Sequence, residues 1–174
     1  ALPIRFGGDE TMTTTIRPVA PTDLKELDAL RRSEQEAVGF IPLSRYNIQL
    51  WRDNRCLLSA WDNGDMTGFL YWTPGLPVAA IQQLVIRRDA RRRERGTLLV
   101  NTALELMAQD PRRYGVTCRC RIDLEATAFW DAEGFQVCRM EESGRRGPCL
   151  RYYRSLRPAL FALGPFLPQR TSGA

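Results

Sequence analysis

Residues 79–86 read AAIQQLVI, residues 87–96 read RRDARRRERG, and residues 97–100 read TLLV. The pattern predicts an apolar strand, a basic turn that ends in glycine, and a helix that continues to about Gln109. The first N–H groups of a helix have no partner within the helix, and the helix dipole favours negative charge beside them. This stretch therefore predicts an anion cradle for a pyrophosphate. A solvated basic turn that caps the helix is the alternative that the stretch alone leaves open.

A second informative stretch lies downstream, where residues 123–135 read DLEATAFWDAEGF. Its apolar spacing predicts a short amphipathic helix from Ala126 to Ala132. Gly134 is placed to end that helix, and Phe135 to open the next strand.

The first stretch resembles the phosphate loop of the GNAT superfamily of acyl-CoA-dependent N-acyltransferases. That loop reads Gln/Arg-x-x-Gly-x-Gly/Ala, and Arg91 and Gly96 match its first and last positions. Glu94 stands where the family usually has glycine, which lets the backbone approach a phosphate closely. A carboxylate at that position repels a pyrophosphate unless it points outward or pairs with an arginine.

The second stretch is similar to another GNAT signature, Asn-x-x-Ala-x-x-Phe/Leu-Tyr-x-x-x-Gly-Phe. Four residues match it in type and spacing, namely Ala126, Phe129, Gly134 and Phe135. Asp123 replaces the asparagine, and Trp130 replaces the tyrosine. The two signatures occur in the family's order, so the resemblance covers roughly residues 15–156.

The resemblance implies a single-domain α/β (α+β) GNAT fold. Its sheet is mixed, mostly antiparallel, six- to seven-stranded and splayed between strands 4 and 5, and about four helices flank it. Local patterns predict the order β-α-α-β-β-β-α-β-α-β-β, with helices near residues 24–36, 44–52, 97–109 and 126–132. Asp23 and Glu26 are placed to form a capping box on the first helix. We expect a flexible leader over 1–13, the acyltransferase domain over 14–156, and an apolar, proline-rich tail over 157–174.

Composition limits the classes of protein that this chain can represent. It has 174 residues, of which 44% are hydrophobic and 26% charged, as in globular proteins. Five cysteines without metal-like spacing favour a reducing compartment, so a cytoplasmic location is expected. No apolar run reaches the ~18 residues of a membrane span, and no signal-peptide pattern is present. The absence of histidine excludes imidazole bases and most zinc sites, and no metal is expected.

Positive charge is the other compositional feature. The formal net charge is +5, and Lys25 is the only lysine. Arginines concentrate in residues 87–95, with pairs at 112–113 and 145–146. A phosphate-bearing cofactor explains the first group, nucleic-acid binding explains all three, and solvated surface charge explains the smaller two.

By resemblance, the co-substrate is acetyl-CoA, bound where the sheet splays. Backbone groups of Leu84, Val85 and Ile86 would pair with its pantetheine arm like an added strand. Asp123 and Trp130 would lie near that arm. The pyrophosphate would be held by backbone N–H groups of the loop and by the first helical residue, a set made up of Arg91, Arg92, Arg93, Glu94, Arg95, Gly96 and Thr97.

Transfer to an amine requires a base, a donor to the thioester oxygen and a proton for the leaving thiolate. Many family members supply that proton from a tyrosine, but Trp130 cannot, because an indole N–H is a donor and not a usable acid. Water is one substitute, and Tyr46, Tyr71 and Tyr114 are others. Glu36 is the candidate base, in a region that borders the acceptor site in this family. Gln83 and Tyr46 are the candidate substrate-binding residues.

Three functions stay open at this point. The first is an N-acetyltransferase that acts on a small molecule, a protein amine or an aminoacyl-tRNA. The second is a nucleic-acid-associated protein that uses its arginines for phosphate contacts. The third is a CoA-binding module without turnover, suggested by Glu94 and Trp130. A membrane partner is not expected, and the apolar tail is compatible with a homodimer.

Overall fold

The computed structural model describes residues 14–142 and 147–157. Its strands are Thr14–Pro18 (β1), Leu57–Asp62 (β2), Asp65–Thr73 (β3), Val78–Ile86 (β4), Gly115–Arg121 (β5), Gln136–Glu141 (β6) and Cys149–Ser155 (β7). Its α-helices are Leu24–Ser33 (α1), Gln35–Val38 (α2), Leu43–Asp53 (α3), Arg95–Ala108 (α4) and Ala126–Ala132 (α5). The expected leader, nearly all of the tail, and the arginine pair at 145–146 lie outside the described residues.

The seven strands form one mixed sheet in the order β1-β2-β3-β4-β5-β7-β6. The pairs β1–β2, β2–β3, β5–β7 and β6–β7 are antiparallel, whereas β4 and β5 are parallel. The parallel ladder joins Val78–Ala80 to Gly115–Thr117, and β4 then continues to Ile86. The predicted fold class, a mixed and mostly antiparallel sheet with flanking helices, is confirmed.

The described residues divide into two compact units. The first covers residues 14–73 and 81–106, and the second covers residues 74–80, 107–142 and 147–157. The core of the first unit is built from apolar side chains of α1, α3 and the central strands, among them Leu27, Tyr46, Leu57, Phe69 and Val85. The core is apolar because burial of these side chains removes their surface from water.

The first helix differs from its prediction at both ends. Asp23 makes no capping hydrogen bond to α1, so the predicted capping box is wrong. Its carboxylate instead accepts from the Ala20 N–H at 2.7 Å and pairs with Arg17 at 2.6 Å, because β1 brings that arginine alongside. At the other end, Glu34 leaves helical geometry with φ −111° and separates α1 from α2.

Large aromatic side chains usually lie in the core, so the sequence favours a core position over a ligand platform for Trp51, Trp61 and Trp72. The exposure of Trp51 corrects this prediction. Trp51 is 84% exposed, whereas Trp72 is buried as expected. Helix α3 turns Tyr46 and Gln49 inward. Successive helical residues are about 100° apart around the helix axis. Trp51 comes two residues after the inward-facing Gln49, so it lies on the opposite face of α3.

The sheet of the second unit has two different faces. Cys118 and Cys120 stand two residues apart on β5, a spacing that predicts two small buried side chains on one face of the strand. Both are buried, and both are free thiols. Burial raises the pKa of Cys120 to about 11, so this thiol stays protonated near neutral pH. Residues that alternate with these cysteines along β5 point to the opposite face, where arginines are concentrated.

On that opposite face, Glu141 is shared by arginines from three strands. It pairs with Arg119 at 3.0 Å, with Arg139 at 2.6 Å and with Arg151 at 2.6 Å. Hydrogen bonding to Arg151, only partly opposed by desolvation, lowers the pKa of Glu141 to about 2. The carboxylate therefore stays ionised far into the acid range.

A lowered pKa means that Glu141 stabilises the fold above its unfolded pKa of 4.5, and that this stabilisation is lost as pH falls towards about 2. We therefore expect Glu141→Gln to lower the melting temperature at pH 7, with a difference from the unmodified chain that shrinks as pH falls below 4.5. Thermal unfolding from pH 7 to pH 3 measures this. Glu142→Gln, at an exposed neighbouring carboxylate, is the control. A difference in melting temperature that stays constant from pH 7 to pH 3 would contradict this role of the ionised Glu141 carboxylate.

Candidate cofactor-binding loop

The loop between β4 and α4 contains two non-glycine residues with left-handed backbone geometry. Arg92 and Glu94 each have φ +60°, a region that glycine adopts without strain and other L-residues adopt at a cost of about 1–2 kcal/mol. The Glu94 carbonyl accepts from the Leu98 N–H at 2.9 Å, which closes the first turn of α4. Glu94 therefore has the backbone conformation suited to the glycine that the GNAT signature places there.

The loop is anchored from inside the first unit by Arg95. Its Nε donates to Asp62 Oδ2 at 2.5 Å, and the two side chains are only 3% and 8% exposed. Its Nη1 donates to the Arg93 carbonyl at 3.2 Å, which holds the loop backbone directly. The side chain of Arg95 thus faces inward, so a role in cofactor binding is restricted to its backbone.

A further hydrogen bond holds the Asp62 carboxylate in position for its ion pair with Arg95. Thr14 Oγ1 donates to Asp62 Oδ1 at 2.7 Å. Burial by itself raises the pKa of Asp62, but the hydrogen bonds from Thr14 and Arg95, together with the charge of Arg95, outweigh it and lower the pKa. The buried ion pair is therefore charged and satisfied near neutral pH.

A second anchor comes from Glu34, at the break between α1 and α2. Its carboxylate accepts from the Arg88 N–H at 3.2 Å and from Arg91 Nη2 at 2.5 Å. Arg91 Nε also donates to the Ile86 carbonyl at 3.1 Å. The guanidinium of Arg91, at the first signature position, thus holds the loop in place. It also occupies the carbonyl of Ile86, a backbone group that was predicted to pair with the pantetheine arm.

The side chains of Arg92, Arg93 and Glu94 are exposed. They precede the N-terminus of α4, a 14-residue helix whose first residues are Arg95, Gly96 and Thr97. A helix N-terminus with nearby guanidinium groups attracts anions, whereas the Glu94 carboxylate opposes them. The loop therefore fits a phosphate group through its backbone and two arginines, with one opposing charge.

Close packing positions this loop against the central strands. A Cβ at Gly68 of β3 would lie 2.9 Å from the Val85 carbonyl oxygen and 2.7 Å from Ile86 Cδ1. Only glycine therefore lets β3 approach this part of β4 so closely. The Arg87 N–H then donates to the Thr67 carbonyl at 2.8 Å, which carries the chain from the strand into the loop.

The two predicted substrate-binding residues contact each other. The hydroxyl of Tyr46, on α3, donates to Oε1 of Gln83, on β4, and both side chains are buried. Gln83 Nε2 in turn donates to the Gly39 carbonyl at 3.3 Å. Burial raises the pKa of Tyr46, so its phenol stays neutral and donates. Through these hydrogen bonds, Tyr46 and Gln83 connect α3 and the segment after α2 to β4. A direct contact of either residue with substrate stays a prediction.

The segment after α2 is also held by Arg31. Its Nη1 donates to the Ile41 carbonyl at 3.2 Å, and its guanidinium lies 5.1 Å from the Phe40 ring centre. Glu36 lies on α2 just before this segment with an exposed side chain. Its role as the base stays a prediction.

In the second unit, the residues of the second signature form a packed cluster. Trp130 is 5% exposed, and its ring meets those of Phe129 and Phe135 edge to face at 5.2 and 5.0 Å. Gly134, with φ +75°, follows the end of α5 as predicted. Packing thus accounts for Trp130, and its predicted contact with the cofactor stays a prediction.

Asp123, at the asparagine position of the signature, is exposed and forms an ion pair with Arg121. Hydrogen bonding to Arg121 lowers the pKa of Asp123. Its predicted position near the pantetheine arm also stays a prediction. Among the described residues, no group of three or more carboxylate or thiol side chains is arranged to hold a metal ion.

The sequence did not indicate Glu34 or Asp62 as functional residues. They contact the loop from 57 and 33 positions away along the chain, and such distances leave no local pattern. For Glu34, the only local signal was the acidic stretch at residues 34–36, from which Glu36 was selected. Asp62 is the last residue of β2, directly before the turn into β3, where polar residues are expected in any case.

Comparisons with known proteins agree with this architecture. Residues 24–135 match the model of the acetyltransferase (GNAT) family. A search of curated proteins gave no match. Within residues 14–142 and 147–157, no helix has both the length and the apolar character of a membrane span.

Several solved structures share the fold. Ard1 from Thermoplasma volcanium is 18% identical over 82% of this chain and 97% of its own, with a TM-score of 0.72. The ribosomal-protein-S18-alanine N-acetyltransferase from Escherichia coli is 17% identical over 83% and 94%, with a TM-score of 0.68. Naa20 from Chaetomium thermophilum, in complex with a bisubstrate analogue, is 17% identical over 84% and 88%, with a TM-score of 0.73.

The family match extends over most of the described residues and contains both the anchored loop and the helix of the second signature. This chain therefore belongs to the GNAT family of acetyltransferases.

Proposed function

We propose that this chain transfers an acetyl group from acetyl-CoA to a primary amine, by direct attack in a ternary complex. The observation that carries the proposal is the loop before α4, which keeps left-handed geometry at the signature position and is held by two separate ion pairs. Such anchoring fits a loop whose backbone N–H groups must stay aligned for a pyrophosphate. A merely solvated turn does not need it.

Backbone groups of the loop and the first turn of α4 would hold the pyrophosphate, and exposed Arg92 and Arg93 would add positive charge. Acetyl-CoA supplies the acetyl group as a thioester. The acceptor amine must be neutral when it attacks the carbonyl carbon, so its proton must pass to a base. We assign that role to Glu36, which is exposed on α2 next to the segment that Arg31 and Gln83 hold in place.

The departing sulfur gains a proton as the carbon–sulfur bond breaks. Trp130 cannot supply it, because an indole is not a usable acid. Tyr46 and Tyr71 are buried, their rings contact each other at 5.5 Å, and Tyr46 donates to Gln83. We therefore assign this proton to water rather than to either of these two tyrosines. Tyr114, the third candidate, is 41% exposed, and its role stays a prediction.

For the acceptor, we propose a protein or peptide α-amine as the first class to test. One structural neighbour supports this choice by its name, the ribosomal-protein-S18-alanine N-acetyltransferase. A cytoplasmic location, where acetyl-CoA and nascent proteins meet, is part of the same proposal.

The test is calorimetric titration with acetyl-CoA, with ATP as the control, followed by measurement of CoA release with peptides that differ in their first residue. We expect acetyl-CoA to bind in the micromolar range and more tightly than ATP. Glu36→Gln should lower kcat and leave acetyl-CoA affinity unchanged, and Glu26→Gln, at an exposed carboxylate on α1, is the control. Binding without CoA release from any amine would favour a module without turnover. The absence of acetyl-CoA binding would contradict the proposal.

A further inference from the structure

The arginine face of the second unit brings together residues that are far apart in the sequence. Arg151, on β7, is directly opposite Arg119 of β5 and Arg139 of β6. Because neighbouring strands are about 4.7–4.9 Å apart, the three residues form a row of about 10 Å across the sheet. They share the carboxylate of Glu141, so the group has a formal surplus of two positive charges.

This row is accessible and its side chains are held in position. The Arg119 and Arg139 side chains are 49% and 63% exposed, so both guanidinium groups reach solvent. Arg151 is more buried and binds Glu141 through two hydrogen bonds, of 2.6 and 3.2 Å. Glu141 thus holds the three guanidinium groups in position but neutralises only one of their charges. The remaining positive charge is what a further anion needs in order to bind.

A tyrosine lies next to the row on the same face. Tyr153 is two residues from Arg151 along β7, and its cross-strand neighbours are Thr117 and Gln136. A Cβ at Gly115 would lie 2.3 Å from Tyr153 Cε2 and 2.5 Å from its Cζ. Glycine at 115 therefore lets the partly buried ring of Tyr153 lie across the neighbouring strand.

We infer that this face of β5, β7 and β6 binds single-stranded RNA, with phosphates on Arg119 and Arg139 and a base stacked on Tyr153. Arginine rows beside aromatic rings on a sheet are a general way to hold single strands, since the ring accepts any base. An acidic peptide would satisfy the arginines but would gain little from the ring. The inference does not rest on acetyl transfer, because it uses none of the residues assigned to that function.

The test is fluorescence anisotropy of the full chain with a labelled, unstructured RNA of roughly 16 nucleotides, the upper site size of a single-strand-binding fold. Arg119→Gln/Arg139→Gln removes two phosphate contacts and keeps the Arg151–Glu141 pair. We expect the slope of log K against log salt to become shallower by about 1.4, because each contact to a single strand contributes about 0.7. The control is Arg32→Gln/Arg112→Gln, which removes two arginines that are 70% and 72% exposed and that pair with the carboxylates of Asp28 and Asp110.

Tyr153 is tested separately. Tyr153→Leu should weaken RNA binding at least about fivefold, and Tyr153→Phe should not, because stacking depends on the ring. Thermal unfolding of each variant, compared with that of the unmodified chain, checks that the variant is folded. Four outcomes would overturn the inference. The first three are no RNA binding at low salt, equal losses of RNA affinity in the two double variants, and displacement of RNA by free CoA. The fourth is a polyglutamate affinity that equals the RNA affinity and is unchanged in Tyr153→Leu.

Discussion

Arg95→Leu is expected to lower the free energy of unfolding by about 3–5 kcal/mol, the usual effect of removing one partner from a buried ion pair. Arg95 and Asp62 are 3% and 8% exposed, so the remaining carboxylate has little access to water. The leucine fills most of the vacated space, so the loss reports the unpaired charge and the lost contacts to the Arg93 carbonyl. Urea unfolding measures the change.

A double-mutant cycle distinguishes an ion pair from simple packing. Asp62→Leu should also destabilise the chain, and Arg95→Leu/Asp62→Leu should lose less than the sum of the two single variants, because no uncompensated charge remains. Arg93→Leu, at an exposed arginine of the same loop, is the control and should change stability little. If Arg95→Leu does not fold, Arg95→Lys keeps the charge without the planar guanidinium and gives a smaller loss to measure. Strict additivity of the two single losses would contradict the assignment.

Glu94→Gly is expected to raise both stability and acetyl-CoA affinity. Glycine relieves left-handed strain of about 1–2 kcal/mol at φ +60°, and its greater freedom in the unfolded chain offsets about 0.4–1 kcal/mol of that gain. The net stabilisation should be about 1 kcal/mol. Removing the carboxylate should raise acetyl-CoA affinity about tenfold or more, because a charge about 4 Å from a phosphate contributes about 1 kcal/mol for each phosphate charge even in water.

Glu94→Gln separates these two effects, because it removes the charge and keeps both the side-chain length and the strained backbone. It should reproduce most of the gain in affinity and none of the gain in stability. The stability result does not depend on the proposed function, since unfolding is measured without ligand. Unchanged stability in Glu94→Gly would contradict the strain, and unchanged affinity in both variants would mean that the carboxylate points away from the pyrophosphate.

Local patterns predicted the elements of this fold well, because each one depends on residues close in sequence. The apolar run at residues 79–86 predicted β4, and Ala126–Ala132 was predicted with the bounds that the structure shows. The end of α1 was predicted less well. Its helical pattern continues past Glu34, but the carboxylate is engaged by Arg88 and Arg91, and no local pattern shows that contact.

The candidate site was predicted only in part, for the same reason. The basic loop and the start of α4 were visible as a signature, and so was the substitution of Glu94 for glycine. The direction of each arginine was not visible. Arg91 and Arg95 look equivalent to Arg92 and Arg93 in the sequence. In the structure, however, Arg95 is buried against Asp62, and Arg91, although 44% exposed, pairs with Glu34.

The sequence by itself thus determined the family, the order of the elements and the position of the anion-binding loop, because short-range periodicity and two spaced signatures encode them. The tertiary structure alone decided which charges are buried and which are presented to solvent. It paired Arg95 with Asp62, used Glu34 to hold the loop, and assembled Arg119, Arg139 and Arg151 around Glu141. These contacts join strands and helices that are distant along the chain, so they arise only when the sheet brings them together.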